Sequence, residues 1–143
     1  MTSTAPTTAA PATWKATLTA TGIAVAGGLI INSLIAAAAL GLGASDEFQQ
    51  LTLPVYGPLT VIGAVIAAVA WRVIVGRSRN ARRILRILVP VVLLVSLIPD
   101  FLLLASKSQP GTTTTGVIAL ILMHFGVAAV AVPAFQRLMP PRT

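Results

Sequence analysis

Six polar side chains stand inside long apolar stretches, and they are where this sequence could do chemistry: Asn32, Tyr56, Thr60, Ser96, Asp100 and His124. Ser96 and Asp100 are four residues apart, so they share one face of a helix. Pro99, beside Asp100, has no N–H to donate and frees the carbonyl of Val95. A carboxylate in hydrocarbon is costly unless it is paired, and histidine titrates near neutrality. A coupled Asp100–His124 pair would therefore take up a proton or a cationic ligand in the physiological pH range. At a rise of ~1.5 Å per residue, Asn32, Ser96 and His124 lie ~15–18 Å from one end of their helices, with Asp100 one turn shallower. Tyr56 falls near the mouth of the same end. The six predict one polar pocket opening outward, with His124 at its floor and a water or Ser96 bridging the ~8 Å to Asp100. Packing offers a second account, because single Asn, Ser and Thr residues join membrane helices by hydrogen bonds. That account covers Asn32, Thr60 and Ser96 readily, and Asp100 least well.

Several chemistries are excluded by what is missing. The chain has no cysteine and a single histidine. Disulfides, thiolate metal sites and thiol nucleophiles are thus ruled out. There is no HExxH pair for a metal and no GxSxG for a serine nucleophile. One carboxylate within the apolar stretches rules out a paired-aspartate mechanism. The glycines sit in packing or turn contexts rather than in a phosphate-binding loop. No catalytic residue, metal site or cofactor is predicted.

The elements that must position these residues follow from composition. Of the 143 residues, 56% are hydrophobic and 9% charged, against roughly a quarter charged in soluble proteins. The apolar residues come in four blocks, each near the ~20 needed to cross a bilayer, with no polar stripe of the kind a soluble helix carries. The fold class predicted is an all-α integral membrane protein, an antiparallel up-and-down four-helix transmembrane bundle. The predicted helices cover about 18–43, 53–76, 84–105 and 115–136, within a membrane domain of about 16–138. A Thr/Ala/Pro-rich stretch, about 1–15, reads as a disordered tail, and about 139–143 as a short basic one. The third helix carries Arg86, two prolines and Asp100, but 16 of the positions from 84 to 105 are Leu, Ile, Val or Phe. At about −0.3 to −0.6 kcal/mol each, these outweigh a cost of about +2.5 to +3.5 for a central Asp, so the segment inserts. Gly22, Ala26, Gly27 and Gly28, with Gly63 on the second helix, predict faces where helices approach closely. Trp71, at the end of the second helix, suits a headgroup boundary.

The net charge of +7 is distributed very unevenly. With both termini on one side, that side carries Lys15, Arg72, Arg77, Arg79, Arg82, Arg83, Arg86, Arg137 and Arg142, and the other only Lys107. This asymmetry predicts a multi-pass protein of the plasma membrane with both termini cytoplasmic. The basic turn after the second helix is explained by topology, and no nucleic-acid partner is predicted, since interleaved aromatics are absent.

The layout resembles a family of small four-span membrane proteins from actinobacteria classified only as a domain of unknown function. The resemblance covers about residues 16–138 and rests on short motifs. These are Asn32, Trp71 with the arginine-rich turn, the stretch Ser96-Leu97-Ile98-Pro99-Asp100, and Leu122-Met123-His124 followed by small residues. It implies the fold and no activity.

Two functions remain in view. The first is a non-enzymatic membrane protein that acts by binding, or as an accessory subunit of a membrane complex. Its partners are the lipid bilayer and either another membrane protein or further copies of itself. The second is a small carrier or channel-like protein using Asp100 and His124 for a proton or cation. Small four-span drug exporters are of similar size, but the first helix here lacks the membrane-embedded glutamate they use.

Overall fold

The computed structural model describes residues 13–141, and these form helices joined by loops. The first helix, α1, spans Trp14–Gly41, and α2 spans Leu53–Arg77 after a 3₁₀ turn at Gln49–Leu51. The third apolar block makes two helices, α3 at Ala81–Ser96 and α4 at Ile98–Ser106, and α5 spans Thr114–Leu138. Four segments are long and apolar enough to cross a membrane, with α3 and α4 together forming the third. The antiparallel four-helix bundle is as the hydropathy blocks predict.

The start of α1 differs from the sequence reading, which assigned residues up to about 15 to a tail. Residues 1–12 lie outside the described range, but Trp14 and Lys15 are helical. Thr13 caps this end, its hydroxyl accepting the N–H of Ala16 at 3.2 Å, as hydroxyl side chains do at helix N-termini. Long-range contacts then fix the first turn. The Arg72 guanidinium lies 4.2 Å from the centroid of the Trp14 ring and donates to the Thr17 hydroxyl at 2.8 Å. These cation–π and hydrogen-bond contacts recruit polar residues that hydropathy alone leaves out.

The third span is also corrected. A single helix over 84–105 is replaced by a break at Leu97, whose N–H turns back to the carbonyl of Leu94 at 3.2 Å. Pro99 in the first turn of α4 supplies the reason: it has no N–H for an unbroken ladder, yet fits well at a helix start.

The most extensive interface is between α1 and α5, and glycine makes it close. A methyl group built at Gly27 would lie 2.5 Å from Cγ1 of Val130, and one at Gly28 would lie 3.4 Å from Cγ2 of Val127, with Thr60 of α2 at 3.0 Å on its other side. In the other direction, Ile31 of α1 packs onto Gly126 of α5, 3.3 Å from where its Cβ would stand. Each helix thus receives a β-branched side chain of the other, the close contact that drives association where no hydrophobic gain exists between helices. Gly22, Ala26 and Gly63 do not belong to this seam: all three are exposed, and both glycines have open space beside them. The buried stripe of α1 instead runs through Ala20, Ala24, Gly28, Asn32, Ala36 and Ala39.

Two apolar clusters lie toward the ends of the bundle. At the arginine-rich end, Trp71, Phe135 and Met139 pack with small residues of α1 and α2. Trp71 is therefore an interior residue rather than a boundary anchor: its indole N–H donates to the Met139 carbonyl at 2.9 Å, and its ring meets that of Phe135 at 5.6 Å between centroids. The exposed indole at this end is Trp14. At the opposite end Phe48 is fully buried and fills the space left open by Gly111 and Gly116. Gly111 has φ +68, a left-handed conformation that suits glycine.

Candidate functional site

The structure divides five of the six predicted polar residues between two places. Asn32, Thr60 and Tyr56 lie where α1 meets α2. The Asn32 amide donates to the Thr60 hydroxyl at 2.9 Å, which in turn donates to the Tyr56 carbonyl at 2.8 Å. The Tyr56 hydroxyl is 2.9 Å from that of Ser33, a residue the sequence reading overlooked. Ser33 also donates to the Leu29 carbonyl, the usual satisfaction of a serine within a helix. Within this group, Oδ1 of Asn32 is buried without a partner. This group holds two helices together, the role that packing assigns to such residues.

The second place joins α4 to α5. Oδ2 of Asp100 lies 3.2 Å from Nδ1 of His124, so the pair is in direct contact. The anticipated ~8 Å step, with a water or Ser96 between them, came from main-chain depth alone. Side chains lean toward the N-terminus of their own helix. On antiparallel helices, that tilts Asp100 and His124 toward one another along the membrane normal. Ser96 takes no part in the pair: its hydroxyl donates to the Leu93 carbonyl at 2.7 Å. Among the described residues, no hydrogen bond or ion pair joins the Asp100–His124 pair to the Asn32 group. The single outward pocket of the sequence reading is therefore two separate polar centres.

The break at Leu97 gives Asp100 a setting that a continuous helix lacks. It falls in the first turn of α4, the only acidic residue there, where unpaired N–H groups and the helix dipole favour negative charge. Its side chain is 9% exposed, against 36% for His124. Nδ1 of His124 is also 2.9 Å from the Leu120 carbonyl. Two oxygens thus converge on that nitrogen, the Leu120 carbonyl and the Asp100 carboxyl. Oδ2 of Asp100 stands at ion-pair distance, buried and without a hydrogen-bond partner. An isolated charge in hydrocarbon is disfavoured. The contact gives each ionisable group a partner within the apolar span.

Depth makes this pair unusual. His124 lies ten residues into α5 from Thr114, or ~15 Å at the helical rise, close to mid-bilayer. A third of its side chain nevertheless reaches the outside of the bundle. The third span beside it is the least buried of the four, and its α4 part touches its neighbours through Asp100 and the partly buried Leu103 and Leu104. Among the described residues, no three His, Cys, Asp or Glu side chains come together as a metal would require.

The sequence matches the model of a family of unknown function, DUF6069, over residues 8–140. No curated protein and no solved structure matches the chain. With nearly its whole length covered, the chain belongs to the DUF6069 family.

Proposed function

We propose that this member of the DUF6069 family acts without catalysis, by binding another component of the membrane at the flank where α4 meets α5. In this reading it is an accessory subunit of a plasma-membrane complex, with both termini cytoplasmic. The observation that carries the proposal is the Asp100–His124 pair, at mid-depth and reachable from outside the bundle. Lipid tails satisfy exposed leucines and valines but offer an imidazole nothing to bond. A polar group on a neighbouring helix, or on a further copy of this chain, completes it. The absence of any catalytic motif in the sequence agrees with this role.

A carrier is the second reading, and the same pair favours it, since two ionisable groups in contact can pass a proton between them. The two part on what the residues contact. Capture from membranes in mild detergent, with mass spectrometry of what co-purifies, should recover a partner with the parent chain and lose it with both Asp100→Asn and His124→Ala. An identical set of captured proteins from all three would refute the accessory role, and proton flux in vesicles containing the purified chain alone would establish the carrier.

A further inference from the structure

We infer that the cleft between α3 and the C-terminal ends of α2 and α5 is a binding site for one anionic glycerophospholipid. The cleft encloses about 470 Å³, which accommodates a headgroup with the start of its acyl chains. Arg82 and Arg86 line it one turn apart on α3, with Gln136 of α5 beside them. The rest of its wall is apolar and includes Leu85, Val89 and Val132. Along α3 the lining passes from arginine to Val89 and Pro90, so charge stands at the helix start and hydrocarbon one turn further into the span. That order matches a phosphate at the interface with acyl chains running inward.

The charge balance points to an external anion. The chain has three acidic residues, Asp46, Glu47 and Asp100. Asp46 and Glu47 lie in the loop between α1 and α2, at the opposite end of the bundle, and Asp100 faces His124. Among the described residues, the Asp100–His124 contact is the only salt bridge, and neither Arg82 nor Arg86 has an acidic partner. A guanidinium presents a planar fork of N–H donors that fits phosphate oxygens. Basic pockets between membrane helices on the cytoplasmic side recognise acidic headgroups by this chemistry. Trp71 closes the inner wall of the cleft, with its N–H already committed to Met139. The site therefore couples to the core at this end, and an occupant stabilises the fold by mass action.

The test uses the full chain in neutral detergent micelles, titrated with dioleoyl phosphatidylglycerol, dioleoyl phosphatidylcholine or inorganic phosphate. Thermal melting and native mass spectrometry are the readouts. Phosphatidylglycerol should raise the melting temperature saturably and remain as a one-to-one adduct, while the other two do neither. Arg82→Gln combined with Arg86→Gln should weaken the apparent affinity by about 30-fold. Both residues are exposed, so the variant keeps its core. Arg79→Gln with Arg83→Gln removes the same charge from the same end but outside the cleft, and should leave affinity within about threefold of the parent. Equal weakening by the two double variants, equal stabilisation by phosphatidylcholine, or full stabilisation by inorganic phosphate would each overturn the site.

Discussion

Replacing Gly27 with alanine tests the α1–α5 seam on which the bundle depends. The added methyl would stand 2.5 Å from Cγ1 of Val130, about 1 Å inside an ordinary carbon–carbon contact. Valine in a helix has one strongly preferred χ1 rotamer, so it cannot swing aside, and the helices must separate or the valine must leave its rotamer. Overpacking of this kind costs about 1–3 kcal/mol, offset in part by the roughly 1 kcal/mol by which alanine favours a helix over glycine. The net loss is about 0–2 kcal/mol. At about 3–4 °C per kcal/mol for a chain of this size, melting falls by up to ~8 °C and lies below that of any alanine variant outside the seam. Gly22→Ala and Gly63→Ala are the controls: nothing lies within 4 Å of either added methyl, so both should melt at or slightly above the parent. Differential scanning fluorimetry in one detergent measures all three side by side. Should Gly27→Ala melt with Gly22→Ala, the seam is looser than drawn and the packing argument fails.

Three further outcomes follow from the same structure. Thr60→Val removes the acceptor for the Asn32 amide, whose Oδ1 is already unpartnered; it should destabilise by about 0.6–1.7 kcal/mol, and Asn32→Leu should abolish that sensitivity in a double-mutant cycle. The basic asymmetry predicts that single cysteines at Ser45→Cys and Ser108→Cys react with an impermeant thiol reagent on intact cells while Ser78→Cys does not, and labelling of Ser78→Cys alone would invert the orientation. Asp100→Asn and His124→Ala, in contact at 3.2 Å, should give non-additive changes in the pH profile of stability; strictly additive changes would separate the two residues.

Much of the fold was legible because four apolar blocks of spanning length admit few arrangements. What escaped was set by tertiary contact or by direction rather than by composition. Trp14 and Lys15 read as tail because they adjoin the Thr/Ala/Pro-rich stretch and precede the apolar block, yet Arg72, far along the chain, orders that turn. Both Gly22 and Gly28 are glycines on α1, and only the positions of α2 and α5 decide which one is packed against a neighbour. The break at Leu97 was readable in principle: Pro99 followed by Asp100 is a helix-start signature, masked by the leucines and valines on either side. Of the candidate site, the residues Asp100 and His124 could be named from their cost in hydrocarbon. Their direct contact could not, because counting residues gives main-chain depth and leaves out the lean of each side chain toward its helix start.

The claim that the α4–α5 flank is a binding surface is tested most directly by photo-crosslinking in the native membrane. Phe101 and Phe125 are exposed, and each is the chain neighbour of one member of the pair. Each is replaced in turn by p-benzoylphenylalanine, with Ile62, exposed on α2, as the control position. Irradiation should give a discrete protein adduct from position 101 or 125, lost when His124→Ala is added, and none from position 62. Adducts with lipid alone at all three positions would show a flank that faces only the bilayer, and would contradict the account.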